Sequence, residues 1–305
     1  MTEKHRIFEK YENNPVITPA MMPRETLYVF NPGAVKCGDE YILLMDCTGL
    51  DDIHRLWIAR SRDGIHFTPD PEPPAWPEPD PIHPEVYTYD PRITKMGDDY
   101  IILYASDLGD NAVRLGIVKT RDFRSFTRVA IGSDLGNRNG SLFPEKFDGL
   151  YARLDRPFGN EMDSSQMWLS YSPDLVFWGK SRPLTYQGKP FQDGFKMGAG
   201  AVPIRTEQGW LEIYHTVAQT CNGFIYRLKA CLLDLDDPSR VLSYTRGYIL
   251  WPEHTYEMQG RVSNVVFTCN ALLEKDGMVR VYYGAADTNI GLATAKLQDI
   301  LDACV

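Results

Sequence analysis

In the stretch TYDPRIT an aspartate, Asp90, and an arginine, Arg92, stand at the head of an apolar run. A charge carried into a buried strand is expensive unless it is paired. The motif is therefore either a structural Asp90–Arg92 pair that pins a turn or a carboxyl kept for acid–base work. A second set of residues is cationic: Arg138 with Asn139 in GNRNGS, Arg156 in LDRP, Lys196 in GFKMGAG and His215 in IYHTV. If these face one space, they offer three fixed cations and an imidazole. That set suits a dianion such as phosphate, because Arg supplies forked donors and Lys a point charge. Taken singly, each could equally be a solvated or ion-paired surface group. Asn31 in NPG is a candidate ligand or a turn-initiating Asn before Pro. Asp287 in AADT could bind a ligand or bridge two strands, and Tyr89, next to Asp90, could donate its hydroxyl or simply pack.

These residues lie far apart in sequence, so something must gather them. The chain is a tandem array. A strand-like run after a short acidic or glycine turn, followed by a second apolar run, occurs as GDEYILLMDC with RLWIARSRDGIHFT and as GDDYIILYASD with VRLGIVKTRDFRSFT. It returns as GLYARLDRP with QMWLSYSPDLVFW, as QGWLEIYHTV with YRLKACLLDLDDPSRVLS, and as DGMVRVYYGAAD with IGLATAKLQDI. The turns at Gly38, Gly97, Gly149, Gly209 and Gly277 recur every ~50 to 70 residues, the range of propeller blades. Ahead of each turn sits a further short run: NPGAVKC, DPRITKM, LFPEKFD, GAGAVPIRT and NVVFTCNALLE. About four strands per unit and five units predict an all-β, five-bladed β-propeller, a single domain over 1–305 with residues 1 to about 25 as an N-terminal extension. Helix is confined to a turn in LQDILDACV and a short start near the N-terminus. In this architecture the first strand of each blade lines the central channel, so Asn31, Asp90, Arg92, Arg138, Asn139, Glu145, Lys196 and Asn264 converge.

The 305 residues carry a formal charge of −9 with Lys and Arg scattered, whereas a phosphate backbone needs a basic stripe, so a nucleic-acid partner is excluded. No apolar run reaches membrane-spanning length and the charged opening lacks a signal-peptide core, which predicts a cytoplasmic protein with no membrane partner. The six cysteines form no CxxC pair and the six histidines no HxH or HExxH spacing; free thiols, no metal and no cofactor are expected. The one long irregular stretch, TPDPEPPAWPEPDPIHPEVY, is too proline-rich for a central strand. It reads as a surface loop over the channel mouth, either a plain connector or a sugar-binding lip using Trp76 and Tyr87 as stacking platforms.

NPGAV, YDPRIT, RNGSLFPEKFDGLYARLDRP, KMGAG, GWLEIYH and YYGAADTNIGLA together resemble, in order and spacing, the landmarks of glycoside hydrolase family 130. The resemblance runs from about Asn31 to Ala295. Its members are five-bladed propellers, mostly inverting β-mannoside phosphorylases. The resemblance implies that Asp90 is the sole catalytic carboxylate, passing its proton through a hydroxyl of the bound mannose. It implies that Arg138, Asn139, Arg156, Lys196 and His215 hold inorganic phosphate as co-substrate, and that Asn31 and Asp287 hold the mannose of a short β-mannoside. Inverting phosphorolysis needs one acid only, because phosphate arrives already ionised, while a hydrolase adds a base. One departure is Asp46 in LLMDCTG, where many members carry an Arg that touches sugar near the acceptor side. Two rival readings stay open. An inverting β-mannosidase would need a base near the cations, for which Glu145 is the candidate unless it braces Lys146 or Arg138. A non-catalytic carbohydrate-binding propeller would not need Asp90 at all. A homo-oligomer is left open, with no interface legible.

Overall fold

The computed structural model describes residues 6–81, 83–107, 113–132, 136–157 and 166–305. Alternating apolar residues and glycine or acidic turns give antiparallel hairpins, and the described strands gather into five sheets. The first sheet is Thr26–Cys37, Glu40–Gly49, His54–Ser61 and Thr68–Pro69. The second is Tyr87–Met96, Asp99–Asp107, Arg114–Thr120 and Thr127–Ile131. The third is Asn137–Leu142, Tyr151–Pro157, Trp168–Ser172 and Gly179–Pro183. The fifth is built on Val266–Leu273, Met278–Ala285 and Asn289–Lys296. The first strands of neighbouring sheets touch, and the ring closes where the fifth sheet meets the fourth and the first. An apolar cluster fills each gap between neighbours, for example Leu43 and Met45 against Tyr282 and Leu292, or Leu103 and Ile117 against Leu142. The fold is thus an all-β, propeller-like ring.

The expectation of equal four-stranded units holds for four sheets and fails at the fourth. There Lys196–Ala199, Trp210–Thr220, Gly223–Leu233 and Arg240–Tyr244 repeat the pattern, but the sheet has seven strands. Thr185–Tyr186 adds in parallel to the outer strand, with Lys189–Pro190 beside it, and Ile204–Arg205 continues the inner edge. Pairs of two residues leave no periodicity to read.

The N-terminal segment, expected as an extension, supplies the outer strand of the fifth sheet: Glu9 pairs with Thr294 and Lys10 with Ala293. Lys10 is pinned there by the buried carboxylate of Glu257 at 2.7 Å and the carbonyl of Trp251 at 2.8 Å. Burial pushes the Glu257 carboxyl up, but Lys10 and the N–H groups of His254 and Glu253 outweigh it and hold the pKa below its usual value. Helix is sparse, as expected: a 3₁₀ turn at Pro19–Met21, one turn at Thr255–Met258 that the sequence did not announce, and Leu297–Ala303. Among the described residues no helix is long and apolar enough to cross a membrane.

Candidate active site

The first strands of three sheets carry the same irregularity. Register slips between Phe30 and Gly33, between Tyr89 and Arg92, and between Arg138 and Ser141. Inside each slip one residue takes a left-handed backbone: Asn31 (φ 43°), Asp90 (φ 53°) and Asn139 (φ 57°). A bulge of this kind breaks the pairing and re-aims a side chain, and Asn and Asp tolerate the positive φ better than other non-glycine residues. NPG, DPR and NGS are therefore three uses of one device, which turns polar side chains towards the channel.

They open into a cavity of about 470 Å³, lined among others by Asn31, Tyr89, Asp90, Arg138, Asn139, Arg156, His215 and Asp287. Eight of the nine site residues named from sequence meet there. The ninth, Lys196, stands one step back, its ammonium 4.5 Å from the Phe224 ring and 5.7 Å from that of Tyr226. It is close enough to feel the site, because burial and then the charges of Arg156 and Arg138 push its pKa down.

Asp90 is buried, and its Oδ1 accepts a 2.8 Å hydrogen bond from Asn31 Nδ2. Asn31 fits because Gly284 has no side chain: a Cβ there would lie 2.1 Å from Asn31 Oδ1. Arg92 does not pair with the Asp90 carboxylate. Its guanidinium, 1% exposed, donates to the carbonyls of Asp90, Ala199 and Gly200 and ties the second sheet to the fourth beneath the cavity. Burial, and then the charge of Asp90, raise the Asp287 carboxyl to about 7.

The cations occupy the other side. Arg138 and Arg156 face each other directly across adjacent strands, an arrangement that is destabilising for like charges. Burial and then Arg138 lower the Arg156 pKa to about 10. His215 is fully buried, and among the described residues neither ring nitrogen has a hydrogen-bond partner of normal geometry. Burial, followed by Arg156, Arg92 and Lys196, hold its pKa well below the ordinary imidazole value, so the ring is neutral. Gly198 makes this packing possible: a Cβ there would meet His215 Cε1 at 2.7 Å and Arg156 Cδ at 3.0 Å. Buried polar groups are normally satisfied; among the described residues Asn139 Oδ1, Arg156 Nε and both His215 nitrogens find no hydrogen-bond partner of normal geometry.

Four expectations change. Asp46 does not line the cavity: it is fully buried opposite Phe30, and its Oδ2 accepts the Asp90 N–H at 3.4 Å. Burial and then Asp90 push its pKa well above the carboxylate range. Glu145 lies outside the cavity, exposed and 3.4 Å from Arg205, so it braces neither Lys146 nor Arg138. Trp76 is no sugar platform; it packs at 5.2 Å on both Tyr104 and Phe126, because the proline-rich loop folds down on the second sheet. Tyr87, by contrast, does line the cavity. Asn264 does not, its carbonyl being spent on the N–H of Tyr226. Sequence reasoning missed His54, Tyr226, Arg261 and Phe267, all at the cavity. A lone His or Arg outside any repeat landmark gave no signal.

The family model described as beta-1,4-mannooligosaccharide phosphorylase matches residues 3–305. The chain belongs to glycoside hydrolase family 130. Among the members of this family, a beta-1,4-mannooligosaccharide phosphorylase of Ruminococcus albus is 33% identical over 302 residues, covering 96% of this chain and 89% of the relative. A 1,2-beta-oligomannan phosphorylase of Thermoanaerobacter is 33% identical over 297 residues, covering 92% and 96%. In three dimensions the family 130 fold is matched by the beta-1,2-mannobiose phosphorylase of Listeria innocua in complex with beta-1,2-mannobiose. The TM-score is 0.83 at 29% identity, over 97% of this chain and 98% of that one.

Proposed function

We propose that this protein is an inverting β-mannoside phosphorylase that cleaves a short β-linked mannoside with inorganic phosphate, yielding α-mannose 1-phosphate and a shortened sugar. The observation that carries the reading is the meeting, in one cavity, of a single bulge-presented acid, Asp90, with two cations, Arg138 and Arg156, and the neutral imidazole of His215. Phosphate held by these donors and by Asn139, with Lys196 adding charge from behind, attacks the anomeric carbon. The bond to the leaving oxygen breaks, and that oxygen takes the proton of Asp90, by way of a sugar hydroxyl as the family resemblance implies. Asn31 and Asp287 hold the mannose. Fixing phosphate in line can supply about 7–11 kcal/mol of the barrier in the best intramolecular models. No cofactor is required beyond phosphate.

The same reading takes the enlarged fourth sheet as one blade of a single five-bladed propeller, since Lys196–Ala199, Trp210–Thr220, Gly223–Leu233 and Arg240–Tyr244 repeat the pattern of the other sheets. Relatives named for both β-1,4- and β-1,2-linked substrates leave linkage to experiment. The deciding assay offers β-1,2-, β-1,3- and β-1,4-mannobiose and mannosyl-glucose with and without inorganic phosphate. Mannose 1-phosphate formed only with phosphate is the expected result; free mannose released at equal rate without it would mean a hydrolase.

A further inference from the structure

Part of the cavity has no role in that scheme. Phe30, Asp52, His54, Tyr87, Arg261 and Val262 line it from the first, second and fifth sheets and the connections beside them. The cations sit on the third and fourth sheets, across the ring. Arg261 lies between the helical turn Thr255–Met258 and the strand Val266–Leu273, in a segment clamped on the turn that bears Asp287. Its N–H donates to Thr288 Oγ1 at 2.9 Å, and the Val262 N–H to the Ala286 carbonyl at 3.2 Å. Gly260 approaches that turn so closely that a Cβ would lie 2.4 Å from both Ala286 O and Thr288 Oγ1. Arg261 therefore keeps a fixed position relative to Asp287.

Its side chain is equally constrained. Nη1 donates to His54 Nε2 at 2.7 Å, Nη2 stands 3.6 Å from an Asp52 carboxylate oxygen, and the guanidinium lies over the rings of Tyr28 (5.3 Å) and Phe30 (6.0 Å). His54 can accept that bond because it is neutral: burial, and then Arg261 itself, lower its pKa to about 4. Edge contacts with Phe30 at 5.8 Å and Tyr87 at 5.7 Å hold the imidazole in place. A forked cation that is anchored on one side, partly open on the other and set against aromatic rings is suited to vicinal hydroxyls of a pyranose.

We propose that Arg261, oriented by His54 and Asp52, grips the leaving sugar and selects which sugar can serve there. The proposal rests on the phosphorylase reading, because in-line displacement puts the leaving sugar on the side of the mannose away from phosphate. That side is where Arg261 stands. His54 is a positioning residue, acting through the guanidinium.

The test runs the reaction backwards, from α-mannose 1-phosphate with glucose, mannose or N-acetylglucosamine as acceptor, comparing the wild type with Arg261→Ala, Arg261→Lys and His54→Leu. A lost hydrogen bond to a charged donor predicts that Arg261→Ala raises the acceptor KM roughly 10- to 100-fold. The order of preferred acceptors should change, with KM for mannose 1-phosphate held. Arg261→Lys should recover part of the loss, and His54→Leu should shift the acceptor KM in the same direction by less. An unchanged acceptor KM in Arg261→Ala, or an equal rise in KM for mannose 1-phosphate, would overturn the assignment while leaving the phosphorylase reading intact. Wild-type protein inert in both directions would instead refute the parent reading, and this one with it.

Discussion

The two sides of the cavity are built on opposite electrostatic plans. On one, Asp46, Asp90 and Asp287 crowd together, and burial with mutual repulsion raises the pKa of Asp46 and Asp287. On the other, Arg138, Arg156, Lys196 and His215 crowd together, and the same two causes lower the pKa of Arg156, Lys196 and His215. A fold seeking stability alone would set the two groups against each other, since buried charge is costly. Keeping them apart leaves like charge dominating each side, although Arg261 offsets part of the rise at Asp46 and Asp287, and Asp90 part of the fall at Arg156. Asp46 and Asp287 hold their protons to higher pH than ordinary carboxyls, while Arg156, Lys196 and His215 shed theirs more readily and gain from an arriving anion. Strain of this kind, spread over several groups of one sign, points to a ligand more firmly than any single perturbed residue.

The contrast can be broken most severely at Asp90. Asp90→Asn keeps the shape and the bond from Asn31 but removes the proton, and it should lower kcat by about 10²- to 10⁴-fold while mannoside binding, read by calorimetry, persists. Next is Arg156→Met, which removes one of the facing guanidiniums. Its kcat/KM for phosphate should fall roughly 10- to 100-fold, yet its melting temperature without phosphate should rise, because a desolvated like-charge pair is relieved. Added phosphate should stabilise the wild type by about 2.7 kcal/mol at 100 times its Kd and the variant much less. A variant that melts earlier without phosphate would count against the strained-cation account.

A gentler perturbation is Gly198→Ala. The new methyl must displace His215 or Arg156, so the phosphate KM should rise several-fold while the mannoside KM stays. The smallest effect concerns Asp287. Its carboxyl keeps a proton up to about pH 7 in the folded protein and loses it from 3.8 upward when unfolded. Its contribution to stability is therefore fully present below pH 3.8 and lost as pH rises through about 7. Asp287→Asn should flatten the urea-measured stability profile across that interval, and an unchanged slope would show that the group is not held protonated.

Part of this site was legible from residue types: Asp90 stood out as a charge at the head of an apolar run, Asn31 as an Asn before Pro, and Asn139 as the neighbour of Arg138 in a cationic set. The bulge that the three share joins positions far apart in sequence and shows only in the paired strands. The blade pattern was legible because alternating strands and glycine turns recur. What escaped has no local signature. His54 opens an ordinary strand, Arg261 sits in an irregular segment, and the 2.7 Å bond between them joins positions the sequence keeps far apart. Of the two readings left open for the proline-rich loop, Trp76 takes the connector one, packed on Tyr104 and Phe126, and Glu145 takes neither of its two, being paired with Arg205 at the surface. The seven-stranded fourth sheet and the Glu9–Lys10 strand rest on two-residue pairings, which are too short to carry a period.

The pairing of Glu9 with Thr294 also turns the order of synthesis into an order of competence. The earliest of the described strands waits for nearly the last, and Asp287 is delivered only in that final stretch. A chain stopped after Ala285 would already hold Asp90 and the cations proposed to bind phosphate, yet should neither close nor turn over sugar. Supplying the missing segment as a peptide is a direct way to look for activity switched on by the last strand.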